Sequence, residues 1–66
     1  MSSKTRHDIK RKISYAMADV VNALVLLDDI YGMYFPEYAD YAEKVDMVRQ
    51  ALRAALIYLQ AFQESI

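Results

Sequence analysis

The chain has 66 residues, of which 56% are hydrophobic and 26% charged, and its formal net charge is −1. This length allows one small domain, and the composition excludes a disordered or fibrous chain. The near-neutral charge excludes a strong electrostatic field over the whole molecule.

The first predicted element is a helix over about residues 5–33. Thr5 and Asp8 form a variant of the capping box at its start. Apolar residues then recur at alternating spacings of four and three, the pattern of a coiled-coil seam. The predicted core positions of this helix are Ile13, Met17, Val20, Leu24, Leu27 and Tyr31.

A turn is predicted over about residues 32–37, where the only glycine and the only proline of the chain stand four residues apart. Gly32 suits the left-handed position that follows a helix. Pro36 suits the first position of the next helix. No other glycine or proline interrupts the sequence on either side of this turn, so the chain is predicted to form two long helices.

The second predicted helix covers about residues 37–65 and carries its own seam. Its predicted core positions are Val45, Val48, Leu52, Ala55, Leu59 and Phe62. Two long helices joined by a short turn predict an all-α fold, an antiparallel helical hairpin that forms a single domain over residues 1–66.

Both helices carry more apolar residues than one hairpin seam can bury. The additional positions form a predicted second apolar face: Ala23, Leu26, Ile30, Met47, Ala51, Ala54 and Tyr58. A surface helix needs a stripe of about 100°, and an exposed apolar patch marks an interface. The simplest closed solution is a two-fold homodimer, which makes a four-helix bundle. The alternative is that another chain covers this face, with the protein a subunit or co-chaperone of a hetero-oligomer.

Charge is divided along the chain. Formal charges sum to +4 over residues 1–14, to −6 over residues 15–48 and to +1 over residues 49–66. Because a hairpin brings both termini to one end, the protomer is predicted to be basic at its open end and acidic at its turn. Cations can bind phosphates, so the candidate nucleic-acid contacts are Lys4, Arg6, Lys10, Arg11, Arg49 and Arg53.

The acidic turn is also rich in aromatic residues. The candidate contacts to a protein partner there are Tyr34, Phe35, Tyr38 and Asp40, because tyrosine is frequent at binding hot spots. The alternative is that the rings close the end of the bundle and keep their hydroxyls in water.

Residue types argue against most enzyme classes. The chain has no cysteine, one histidine (His7) and one glycine. These counts exclude cysteine-based metal sites, Ser–His and Cys–His relays and phosphate-binding loops. We therefore predict no catalytic, metal or cofactor-binding residues, no cofactor and no small-molecule substrate.

The predicted function is a non-enzymatic interaction protein, a regulator, inhibitor or adaptor. A nucleic-acid-binding dimer is the alternative. The predicted architecture is similar to that of plasmid copy-control RNA-binding hairpin dimers, helical-hairpin chaperones and phage-encoded inhibitors, a likeness that assigns no residue a role. No membrane contact is expected, because the longest uncharged run, Ala54–Gln63, is ten residues and a span needs about twenty. The absence of cysteine favours a cytoplasmic location.

Overall fold

The computed structural model describes residues 3–34 and 39–66, with side chains for residues 4–32 and 40–66. Helix α1 spans Ser3–Tyr34, a short 3₁₀ turn spans Ala39–Tyr41, and helix α2 spans Ala42–Ser65. The two helices pack against each other as a hairpin with extents of 53 × 15 × 10 Å. This confirms the prediction of an all-helical chain built from two packed helices.

The helix ends differ from the predicted bounds. Gly32 lies inside α1, which continues to Tyr34, so the prediction that this glycine terminates the helix is wrong. A glycine inside a helix costs only about 1 kcal/mol, which the surrounding helix tolerates. The regular part of the second helix begins at Ala42 rather than near residue 37, after the 3₁₀ turn, and Tyr41 precedes it without a side-chain cap. Residues 35–38 of the predicted turn lie outside the described residues.

The two helices meet along a narrow seam. Ile13, 6% exposed, is the only buried residue among those with described side chains. The other seam residues of α1 are partly buried: Ile9, Ala16, Met17, Val20, Ala23, Leu24 and Leu27. The seam residues of α2 are also partly buried: Ala42, Val45, Arg49, Leu52, Ala55, Leu56, Leu59, Gln63 and Ile66.

Most of the predicted core positions therefore lie in the seam, but Tyr31, Val48 and Phe62 are exposed. Helix α2 is turned so that Arg49 and Gln63 contact α1 where Val48 and Phe62 were expected. This rotation is possible because the apolar pattern of α2 is wide enough to supply a seam in either orientation.

Polar contacts at two levels set the register of the hairpin. At one level, Gln63 Nε2 donates to Ser14 Oγ at 2.6 Å and to the carbonyl oxygen of Lys10 at 3.0 Å. At the other, Arg49 Nη2 lies 2.8 Å from Asp28 Oδ1, and the guanidinium lies 5.3 Å from the Tyr31 ring centroid. The interval between the levels is 14 residues in each helix (28 minus 14 and 63 minus 49). Two heptads thus separate the contacts on both helices, which run antiparallel and in step.

Candidate protein-interaction surface

The hairpin has two broad sides, which follow from helix geometry. An α-helix turns by about 100° per residue, so the residue before a seam position and the residue after it point to opposite sides. Because α1 and α2 are both right-handed and run in opposite directions, the preceding residues of both helices point to the same side. We call this side the apolar face, after its apolar residues Tyr15, Ala23, Leu26, Ile30, Val48, Ala51, Ala55, Tyr58 and Phe62. The charged residues that also precede seam positions on this side are Asp8, Lys12, Asp19 and Lys44.

The apolar face is open to solvent in the hairpin. Its larger side chains are exposed, and Tyr58 reaches 75%. Met47 and Ala54, from the predicted second apolar face, are exposed on the outward edge of α2 beside it. Of that predicted set only Ala23 is partly buried in the seam. The structure thus places these residues where a further chain can reach them.

The opposite side of α2 has a different composition. We call it the polar face; it comprises Glu43, Asp46, Gln50, Arg53, Gln60 and Glu64. Ile57 is the one large apolar residue among them, and Val21 and Val25 of α1 lie on the same side. Arg49 Nη1 also reaches this side, where it lies 3.0 Å from Asp46 Oδ1.

Residue size changes along the apolar face. The register places Leu26 level with Ala51 and Tyr15 level with Phe62. The face is therefore aliphatic near the turn, alanine-rich in its middle and aromatic near the open end, where α1 begins and α2 ends. Asp19 of α1 is exposed on this side, between Tyr15 and Ala23.

The dimensions of the face match those of a protein interface. The broad side of the hairpin measures 53 by 15 Å, and its outline is close to the about 800 Å² that each partner buries in a standard interface. The surface is thus large enough to hold a stable partner.

The basic residues are dispersed. Arg49 is only 20% exposed and is engaged by Asp28 and Asp46, so it does not present its charge to solvent as the nucleic-acid hypothesis expected. Arg11 is paired with Asp8 at 2.6 Å. Arg53 is level with the middle of α1, far from Lys4. The cations therefore do not form one continuous surface.

Near the open end, Arg6, His7, Lys10 and Ile66 line an open surface pocket of about 210 Å³. Two of the candidate cations, Arg6 and Lys10, thus lie close together.

The aromatic contacts predicted near the turn are only partly visible. Phe35, Tyr38 and the side chain of Tyr34 lie outside the described part of the molecule. Asp40 is exposed in the 3₁₀ turn, and Lys44 Nζ lies 5.9 Å from the centroid of the Tyr41 ring.

The structure describes residues 3–34 and 39–66. Within these ranges no group of three His, Asp or Glu residues could hold a metal ion. No helix there has both the length and the apolar character needed to cross a bilayer. Comparison with protein-family models, curated proteins and solved structures found no match to the chain.

Proposed function

We propose that this chain is a non-enzymatic interaction protein that works as a homodimer, with the apolar faces of two copies closing a four-helix bundle. It would act as a regulator, inhibitor or adaptor by binding other proteins through the surfaces that the bundle leaves open. One observation carries this proposal: among the described residues the hairpin buries only Ile13, while twelve large apolar side chains are exposed.

A second copy would supply the stability that the hairpin lacks. Chains of this size bury too little surface to offset the entropy of ordering, and they need a disulfide, a metal or a partner. The sequence contains no cysteine. An identical chain with a self-complementary face is always available as a partner, because it is present wherever the protein itself is present.

The composition of the two faces of α2 supports the choice of contact surface. Association buries apolar area at about 25 cal/mol per Å², whereas charged side chains must be desolvated at a cost. Docking through the apolar face buries apolar area and desolvates few charges. On α1, Asp19 is the only charged residue between Tyr15 and Ile30 at the face positions. Docking through the polar face would reverse this balance.

The test is the mass of the purified protein, measured by light scattering during size exclusion. We expect about 15 kDa, twice the 7.7 kDa of the chain. Leu26→Glu and Ile57→Glu form a matched pair, because these residues are 63% and 66% exposed and lie on opposite faces. Leu26→Glu should weaken the dimer at least about 100-fold, since it places a charge in an apolar contact, and Ile57→Glu should leave the mass unchanged.

Two outcomes would contradict the proposal. A wild-type mass of 7.7 kDa would mean that the apolar face belongs to a different chain, and the protein would then be a hetero-oligomer subunit. Dissociation by Ile57→Glu but not by Leu26→Glu would mean that the contact surface is the polar face.

A further inference from the structure

We infer that the two copies of the dimer lie antiparallel, so that the basic open end of each hairpin lies beside the acidic turn of the other. This inference rests on the proposed homodimer and specifies how its partner is seated. It follows from the division of charge along a hairpin that is 53 Å long.

The two ends of the hairpin carry opposite charge. Residues 1–14 sum to +4, from Lys4, Arg6, Lys10, Arg11 and Lys12 against Asp8. Residues 15–48 sum to −6, and six of their seven carboxylates lie at or after residue 28: Asp28, Asp29, Glu37, Asp40, Glu43 and Asp46. The acidic charge is therefore concentrated at the turn end.

Two symmetric arrangements can bring the apolar faces together. A two-fold axis along the helices places like ends side by side, and one across the helices places each basic end beside an acidic end. Charges interact over a Debye length of about 10 Å at 0.1 M salt, far less than the length of the hairpin. Each end of a hairpin therefore interacts mainly with the end of the partner that lies beside it. The axis across the helices replaces repulsion between like ends with attraction between opposite ends.

The packing of the face permits this arrangement. An axis across α2 between Ala54 and Ala55 places Tyr58 over the partner's Ala51 and Phe62 over the partner's Met47. By the register of the hairpin the same axis crosses α1 between Asn22 and Ala23. On α2 the large Tyr58 then opposes a small side chain, and the alanines at the centre allow the backbones to approach closely.

The experiment is a pair of spin-label distance measurements on His7→Cys and Asn22→Cys. The chain has no cysteine of its own, so each label reports one site. In the antiparallel dimer His7 lies 15.5 residues from the axis, which separates the two labels by about 46 Å at 1.5 Å per residue. Asn22 lies beside the axis, so its two labels should be within about 20 Å, about two helix diameters.

Equal distances at the two sites would overturn the inference, because they indicate that the hairpins point the same way. That result would leave the proposed homodimer intact. The absence of a label–label distance at both sites, together with a mass of 7.7 kDa, would overturn the inference and the proposed function together.

Salt provides an independent measurement on the unmodified protein. Raising the ionic strength from about 0.01 M to about 0.1 M shortens the Debye length from about 30 Å to about 10 Å. The dissociation constant should rise about tenfold, since the end-to-end attraction is screened. A dissociation constant that stays constant or falls over this range would contradict the antiparallel arrangement.

Discussion

The two sides of α2 are both open to solvent in the hairpin but differ in chemistry. The residue before each seam position is mostly apolar, as Val48, Ala51 and Phe62 illustrate, while the residue after it is mostly charged or amidic, as Asp46, Arg53 and Glu64 illustrate. Neither side is needed to pack α2 on α1, so packing within the hairpin does not explain the difference in composition. The difference supports the proposed dimer contact, which uses one side only.

The same contrast holds between the seam and the apolar face. The seam contains Arg49 and Gln63, while Val48 and Phe62, one residue before each, are exposed. Arg49 Nε is buried without a hydrogen-bond partner, which is a cost. The ion pairs of its two Nη atoms offset this cost and set the register. The hairpin thus uses polar contacts for alignment and leaves apolar surface exposed.

The largest expected effect comes from breaking the seam. Leu52→Asp places a carboxylate in the partly buried contact with α1, and Leu24→Asp does the same from the other helix. We expect a loss of at least about 3 kcal/mol and the loss of the folded assembly. Far-UV circular dichroism at fixed protein concentration measures the loss of helix. Gln50→Asp is the control, because it adds the same charge on the exposed polar face.

A fully helical Leu52→Asp variant with the mass of the wild type would show that this seam does not hold the protein together.

A smaller effect is expected from Asp19, the one acidic residue between Tyr15 and Ile30 at the face positions of α1. Asp19 must lose water when the face is covered, so Asp19→Ala should tighten the dimer about tenfold, or 1.4 kcal/mol. Sedimentation equilibrium measures the dissociation constant. Asp29→Ala is the control, since it removes the same charge and gains the same helix propensity at an exposed position outside the face.

Equal tightening by both variants would point to helix propensity or net charge as the cause, rather than to burial of Asp19.

The smallest effect is expected at the open-end contact of the seam. Gln63→Ala removes the hydrogen bonds to Ser14 and to the Lys10 carbonyl, and it should cost about 1 kcal/mol. For a domain of this size this corresponds to a fall of about 4–8 °C in Tm. Gln60→Ala, one turn earlier on the polar face, should leave Tm nearly unchanged. An equal fall in both variants would assign the loss to the helix surface instead.

Much of the fold follows from the position of helix-breaking residues and from the spacing of apolar residues. Pro36 falls in the sequence between the end of α1 and the 3₁₀ turn, whereas Gly32 lies inside α1. The spacing from Ile13 to Leu27 matches the seam of α1. The rotation of α2 does not follow from apolar spacing, because rows through Val48 and through Arg49 both contain enough apolar residues. An arginine can occupy a seam by packing its stem and keeping its charge at the edge.

A signal for Arg49 and Gln63 was nevertheless present in the sequence. Both residues have a complementary partner on α1, and the interval between the partners, Asp28 and Ser14, equals the interval between Arg49 and Gln63. Paired polar residues at equal spacing on two antiparallel helices thus indicate the register of the helices. The spacing of apolar residues alone does not determine this register.

The equal 14-residue interval on the two helices also limits how this protein can change in length. A single deletion between Ser14 and Asp28 would turn the rest of α1 by about 100° and separate Arg49 from its carboxylate. Removing seven residues from one helix would restore the rotation but still leave one of the two contacts without its partner. Between the contact residues, matched deletions or insertions of a whole heptad in both helices preserve the two contacts, so a tolerated change of length there should occur in such pairs.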